Sequence, residues 1–108
     1  MPDKAKILVI DDEKLVLLGL QRIVEDAGYE VKTSIRGKEA VEMVRSEKFD
    51  IIFTDMKMPE MDGVEVCDAI KKIDPEMNVI LFSGTPQGLA KRQIDFLNVG
   101  GTDKYLRK

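Results

Sequence analysis

The sequence predicts an α/β fold: a doubly wound, parallel, five-stranded sheet in the order 2-1-3-4-5. Three observations carry that expectation. Short apolar runs rich in β-branched residues, Lys6–Ile10, Ile51–Thr54 and Asn78–Phe82, read as buried strands. Longer stretches between them place apolar residues at helical spacing, the pattern of right-handed βαβ units. The first and third runs end in carboxylates, Asp11-Asp12 and Asp55, at the strand ends where open α/β sheets bind ligands.

Taken in order, Lys6–Ile10 is the first strand, closed by Asp11-Asp12-Glu13. Glu13–Ala27 reads as a helix with Val16, Leu20, Ile23, Val24 and Ala27 on its apolar stripe, and Gly28 as its C-terminal cap. Tyr29–Ser34 is a more polar strand, placed at an edge. Gly37 opens a helix to about Glu47, with Ala40, Val41 and Val44 inward. Ile51–Thr54 is the third strand, followed by a loop marked by Pro59 and Asp62-Gly63. The helix after Asp62 turns Val66, Ile70 and Ile73 inward and stops at Pro75. Asn78–Phe82 is the fourth strand, closed by Ser83-Gly84. Pro86–Val99 has only a weak helical pattern, interrupted by Gly88 and broken by Gly100-Gly101, and Lys104–Arg107 forms a short fifth strand.

A chain of 108 residues predicts one domain, residues 1–108, with enough length for a single core. Its 44% apolar and 34% charged residues are ordinary for a globular protein, and a net charge of −3 argues against direct nucleic-acid binding. The single cysteine excludes an internal disulfide and fits a reducing, cytoplasmic setting. No apolar stretch approaches a membrane span, and the polar start Met1-Pro2-Asp3-Lys4 does not read as a signal peptide. The chain has no histidine, which excludes a histidine-based triad, a histidine kinase core and a histidine phosphotransfer domain within it.

In the 2-1-3-4-5 order the crevice between strands one and three gathers Asp11, Asp12 and Asp55. Three converging carboxylates resist full ionisation, and a hard divalent cation removes that difficulty. With oxygen ligands alone, Mg²⁺ is the natural choice. A carboxylate can also attack phosphorus and form an aspartyl phosphate. Ser83 offers a hydroxyl after the fourth strand and Lys108 an ammonium after the fifth, the donors that phosphoryl oxygens require.

Ile7–Glu13 (ILVIDDE), Asp50–Gly63 (DIIFTDMKMPEMDG) and Ser83-Gly84 together resemble the receiver domains of two-component response regulators, the chemotaxis-regulator-like family with a flavodoxin-like strand order. The resemblance covers essentially the whole chain. It implies a phosphoacceptor switch, not an enzyme with a separate substrate, that assists its own phosphorylation and dephosphorylation. By that resemblance Asp55 is the phosphoacceptor, Asp11 and Asp12 bind Mg²⁺, and the backbone carbonyl of Lys57 is a further metal ligand. Ser83 contacts the phosphoryl group, Lys108 pairs with it, and Tyr105 turns inward on activation. The implied partners are a histidine kinase or histidine phosphotransfer protein, and an output domain or downstream target.

By the resemblance a fifth helix would follow Lys108; without it the sequence predicts an uncovered sheet face near Leu106 and, in consequence, either self-association, the favoured outcome, or a mobile C-terminal third. Three other functions compete with that of a phosphoacceptor switch. A receiver-like interaction module would work without phosphorylation. A flavodoxin-like nucleotide binder would need a Gly- or Ser-rich loop where Asp11-Asp12-Glu13 stands. An aspartyl-nucleophile phosphatase would want a second acid at Lys57. Cys67 and the methionines Met56, Met58 and Met61 read as packing and loop anchors, and the basic residues Lys91, Arg92, Lys104, Arg107 and Lys108 as mostly a solvated face.

Overall fold

Buried apolar strands separated by amphipathic helices assemble as the patterning predicts. The computed structural model describes residues 5–55, 58, 60–83 and 105–107. Along the chain run β1 (Lys6–Ile10), α1 (Lys14–Asp26), β2 (Glu30–Ser34), α2 (Gly37–Ser46), β3 (Ile51–Asp55), α3 (Gly63–Ile73), β4 (Asn78–Ser83) and β5 (Tyr105–Arg107). The sheet order is β2-β1-β3-β4-β5, and every neighbouring pair is parallel. The weak helical pattern over 86–99, the Gly100-Gly101 break and Lys104 lie outside the described residues.

Side chains alternate across the sheet, so each central strand feeds two cores. On one face Leu8, Ile10, Ile52, Val79 and Leu81 pack with Ala40, Val41 and Val44 of α2 and Val66, Cys67 and Ile70 of α3. On the other face Ile7, Val9 and Val31 meet Leu17 of α1, with Val16, Leu20, Val24, Ile51 and Phe53 only partly buried around them. The first face is the better sealed. Ile51, Phe53 and Ile80 remain half-buried on the α1 side.

Ile23 of α1 and Ala27, its C-cap, depart from expectation. Ile23 is 66% exposed and Ala27 is exposed, whereas Leu17 is buried. A helix turns about 100° per residue. The stripe that meets β1 and β2 is centred on Leu17, Leu20 and Val24, and Ile23 falls to its flank.

Gly28 ends α1 as expected, with φ of 98°. Its N–H donates to the Glu25 carbonyl at 2.9 Å, and the Tyr29 N–H donates to the Val24 carbonyl at 3.3 Å. That pair of bonds is a Schellman motif, which requires the left-handed conformation that glycine adopts without strain. It draws Tyr29 out of the strand, so β2 begins at Glu30.

Candidate functional site

The site is assembled by the ends of the two central strands. β1 stops at Ile10, and Asp11 follows, fully buried. The Asp11 N–H donates to the carbonyl of Ser34 at 3.1 Å, which extends the β1–β2 ladder by one bond. The Asp11 carboxylate in turn accepts the N–H of Glu13 at 3.0 Å, turning the chain sharply into α1. Asp12 is left at the surface of that turn.

β3 runs one residue further than the apolar pattern indicates. Asp55 is its last residue, 6% exposed, and is paired with Phe82 of β4. Thr54, fully buried beside it, donates its hydroxyl to the Asp55 carbonyl at 3.1 Å. The phosphoacceptor candidate thus stands on ladder backbone, a firmer support than a loop.

Asp11, Asp12 and Asp55 each bring a carboxylate oxygen to within 4.8 Å of the others. Two of the three are buried. The Asp12 carboxyl is raised from its ordinary value, first by partial desolvation, then by its side-chain hydrogen bond with Asp11 and by the neighbouring charges of Asp11 and Glu13. An all-oxygen, multiply anionic donor set of this kind fits a hard divalent cation of the Mg²⁺ type.

Of the other expected residues, Ser83 closes β4 one residue beyond the partner of Asp55, and Tyr105 pairs through its backbone with Leu81. The side chains of Ser83 and Tyr105, and all of Lys57 and Lys108, lie outside the described residues. Met58 and Met61 pack partly buried against the α2–α3 core, as loop anchors should, while Met56 lies outside.

Two local devices escaped the sequence reading. Asp62 caps α3, accepting the Glu65 N–H at 3.0 Å, while the Glu65 carboxylate accepts the Asp62 N–H at 3.2 Å. The Asp-x-x-Glu spacing is the sequence signal of that capping box. The second is the turn between β2 and α2. The Ser34 hydroxyl donates to the Arg36 carbonyl at 2.9 Å and accepts the Arg36 N–H at 3.3 Å.

A carboxylate cluster at the switch point of this sheet places the chain among the α/β proteins whose site lies at the carboxyl ends of their strands. Residues 7–108 match the family model for the response regulator receiver domain. The chain is 35% identical to the chemotaxis protein CheY of Thermotoga maritima over 99 residues, covering 91% of this chain and 81% of that protein. Among solved structures it superposes on a CheY-like receiver domain from Methanospirillum hungatei with a TM-score of 0.89 at 29% identity, covering 98% of this chain and 82% of the other. A Thermotoga maritima response regulator solved in complex with Mg(2+)-BeF gives a TM-score of 0.84 at 29% identity, over 96% and 86% of the two chains. The chain belongs to the response regulator receiver domain family.

Proposed function

We propose that this receiver domain accepts a phosphoryl group on Asp55 from a phosphohistidine carried by a partner protein. The observation that carries the proposal is the convergence of the Asp11, Asp12 and Asp55 oxygens within 4.8 Å at one sheet edge. A carboxylate oxygen of Asp55 forms the new bond to phosphorus, the phosphorus–nitrogen bond breaks, and the histidine ring leaves with the electron pair. Asp11, Asp12 and Asp55 would hold Mg²⁺, with the Lys57 carbonyl as a further ligand. When bound, the ion neutralises charge on the phosphoryl oxygens. The β3–β4 ladder fixes Asp55 and limits its freedom to turn away from an incoming phosphorus. Ser83 and Lys108 would supply the hydroxyl and ammonium contacts to the transferred group, and Tyr105 would report its arrival to a target surface.

The donor has to bring its ring to the Asp55 edge, so its carrier covers the start of α1. There Leu15 and Leu18 are 84% and 61% exposed, apolar surface suited to a histidine kinase or histidine phosphotransfer protein. Among the described residues no helix is long and apolar enough to cross a membrane. We read residues 1–108 as one cytoplasmic switch unit, acting on an output domain or separate target rather than on nucleic acid.

Incubation with acetyl phosphate and Mg²⁺, followed by intact mass, tests the proposal. One added phosphoryl group is expected in the wild type and none in Asp55→Asn. An equal gain in that variant contradicts it.

A further inference from the structure

The two loops of the site lean on the same short turn. Asp11 is tied to it through the bond from its N–H to the Ser34 carbonyl, at 3.1 Å. Ser34 is locked to Arg36 by its hydroxyl, which donates to one backbone group and accepts from another. Gly37 comes next and opens α2. A Cβ at Gly37 would lie 2.6 Å from Cγ2 of Val66, 3.2 Å from Cβ of Met61 and 3.3 Å from Cγ of Met61. Met61 belongs to the loop that follows Asp55, and Val66 to the second turn of α3, which that loop enters.

Gly37 is not present for its backbone angles, since Gly28 is the glycine with positive φ among the described residues. It is present because the loop after Asp55 and the start of α3 approach too closely to admit a side chain. The capping box fixes Asp62 immediately after Met61, and Met61 stands in the chain that leaves β3 at Asp55 and enters α3.

We infer that Gly37 is a positioning residue for the carboxylate cluster: the Ser34–Gly37 turn braces Asp11 on one side and the loop after Asp55 on the other, and so sets the spacing at which they share a metal ion. This rests on reading the cluster as a Mg²⁺ site. Outer supports of metal ligands commonly matter about tenfold or more in affinity. Gly37→Ala, with its new methyl against Val66 and Met61, is expected to weaken Mg²⁺ by about that factor.

The test is calorimetric titration of the full chain with magnesium chloride, at a temperature where circular dichroism shows every variant folded. Gly37→Ala raises the Kd about tenfold, and Gly37→Ala combined with Val66→Ala, which removes the nearest clash, returns it close to the wild-type value. Val44→Ala, a buried α2 change away from the loops, loses stability yet keeps the wild-type Kd. Met61→Ala removes side-chain packing from the brace without adding bulk and weakens binding in the same direction, so the inference stays testable if Gly37→Ala does not fold. An unchanged Kd in folded Gly37→Ala, or in Met61→Ala should the former fail to fold, overturns the inference alone. A wild type that binds no Mg²⁺ overturns the functional reading and the inference with it.

Discussion

Asp55 is paired with Phe82 across the β3–β4 ladder, which makes Ser83 the next residue of β4 beyond the level of the carboxylate. Register, not loop geometry, thus brings a hydroxyl residue to the strand neighbouring the proposed phosphoacceptor. The adjoining pair, Leu81 with Tyr105, places the proposed switch residue one strand further out. Ser83→Ala should therefore still accept a phosphoryl group but respond weakly to it. Chemical shifts around Tyr105 measure the response. A shift between free and phosphorylated forms as large as in the wild type contradicts the coupling.

Metal should stabilise the fold. Three carboxylate oxygens within 4.8 Å repel one another without a cation, and an ion bound by the native state alone adds stability by mass action, about 2.7 kcal/mol at a hundredfold excess over Kd. The melting temperature should rise with Mg²⁺ in the wild type and hardly move in Asp12→Ala. A wild-type melting temperature indifferent to millimolar Mg²⁺ counts against the site.

At the opposite edge of the sheet, Glu47 forms ion pairs with Lys6 and Lys32, the latter at 3.0 Å, and Lys6 also approaches Glu30 at 3.8 Å. The hydrogen bond from Lys6, then that from Lys32, holds the Glu47 carboxyl below its ordinary 4.5, and the bond to Glu47 raises Lys6 above 10.5. A depressed acid stabilises the fold above its unfolded value and loses that contribution as pH falls through the folded value; a raised lysine does the reverse at the alkaline end. Glu47→Gln should be slightly less stable than the wild type between those limits and converge with it as pH falls below 4.5. The groups are partly exposed, so salt should shrink the difference. Urea melts across the acid range measure it, and a deficit that persists in acid would show another cause.

Cys67 is fully buried in α3, and burial pushes its thiol up to about 11. It should resist a thiol reagent at neutral pH in the native state and react only on unfolding. Fast labelling of folded protein would show that α3 opens readily.

On the α1 side of the sheet Ile51, Phe53 and Ile80 stay half-buried, and Ile23 of α1 is exposed. Such an apolar margin favours association of copies at high concentration. Light scattering should show mass rising with concentration; a strict monomer would show this margin to be covered.

Much of the fold was legible because parallel strands buried on both faces give continuous apolar runs, as Lys6–Ile10 and Ile51–Thr54 do. The carboxylate cluster was legible because strand ends converge at the switch point once the order is known. What periodicity hid was side-chain detail at element margins. The exposure of Ile23 and the burial of Leu17 depend on which stripe of α1 the sheet selects. That β3 continues to Asp55 depends on pairing with β4, since an Asp gives no strand signal of its own. Gly37 read as a helix start, because a lack of room for Cβ arises only when α3 and the Met61 loop pack against it.

The central claim is that Asp55 alone carries the phosphoryl group. Borohydride reduces an acyl phosphate to an alcohol, so treatment of the phosphorylated protein followed by peptide mapping locates the modified carboxylate directly. The account predicts homoserine at position 55 and unmodified Asp11 and Asp12. Reduction at either of those residues, or no reduced residue in protein that had gained phosphoryl mass, would contradict it.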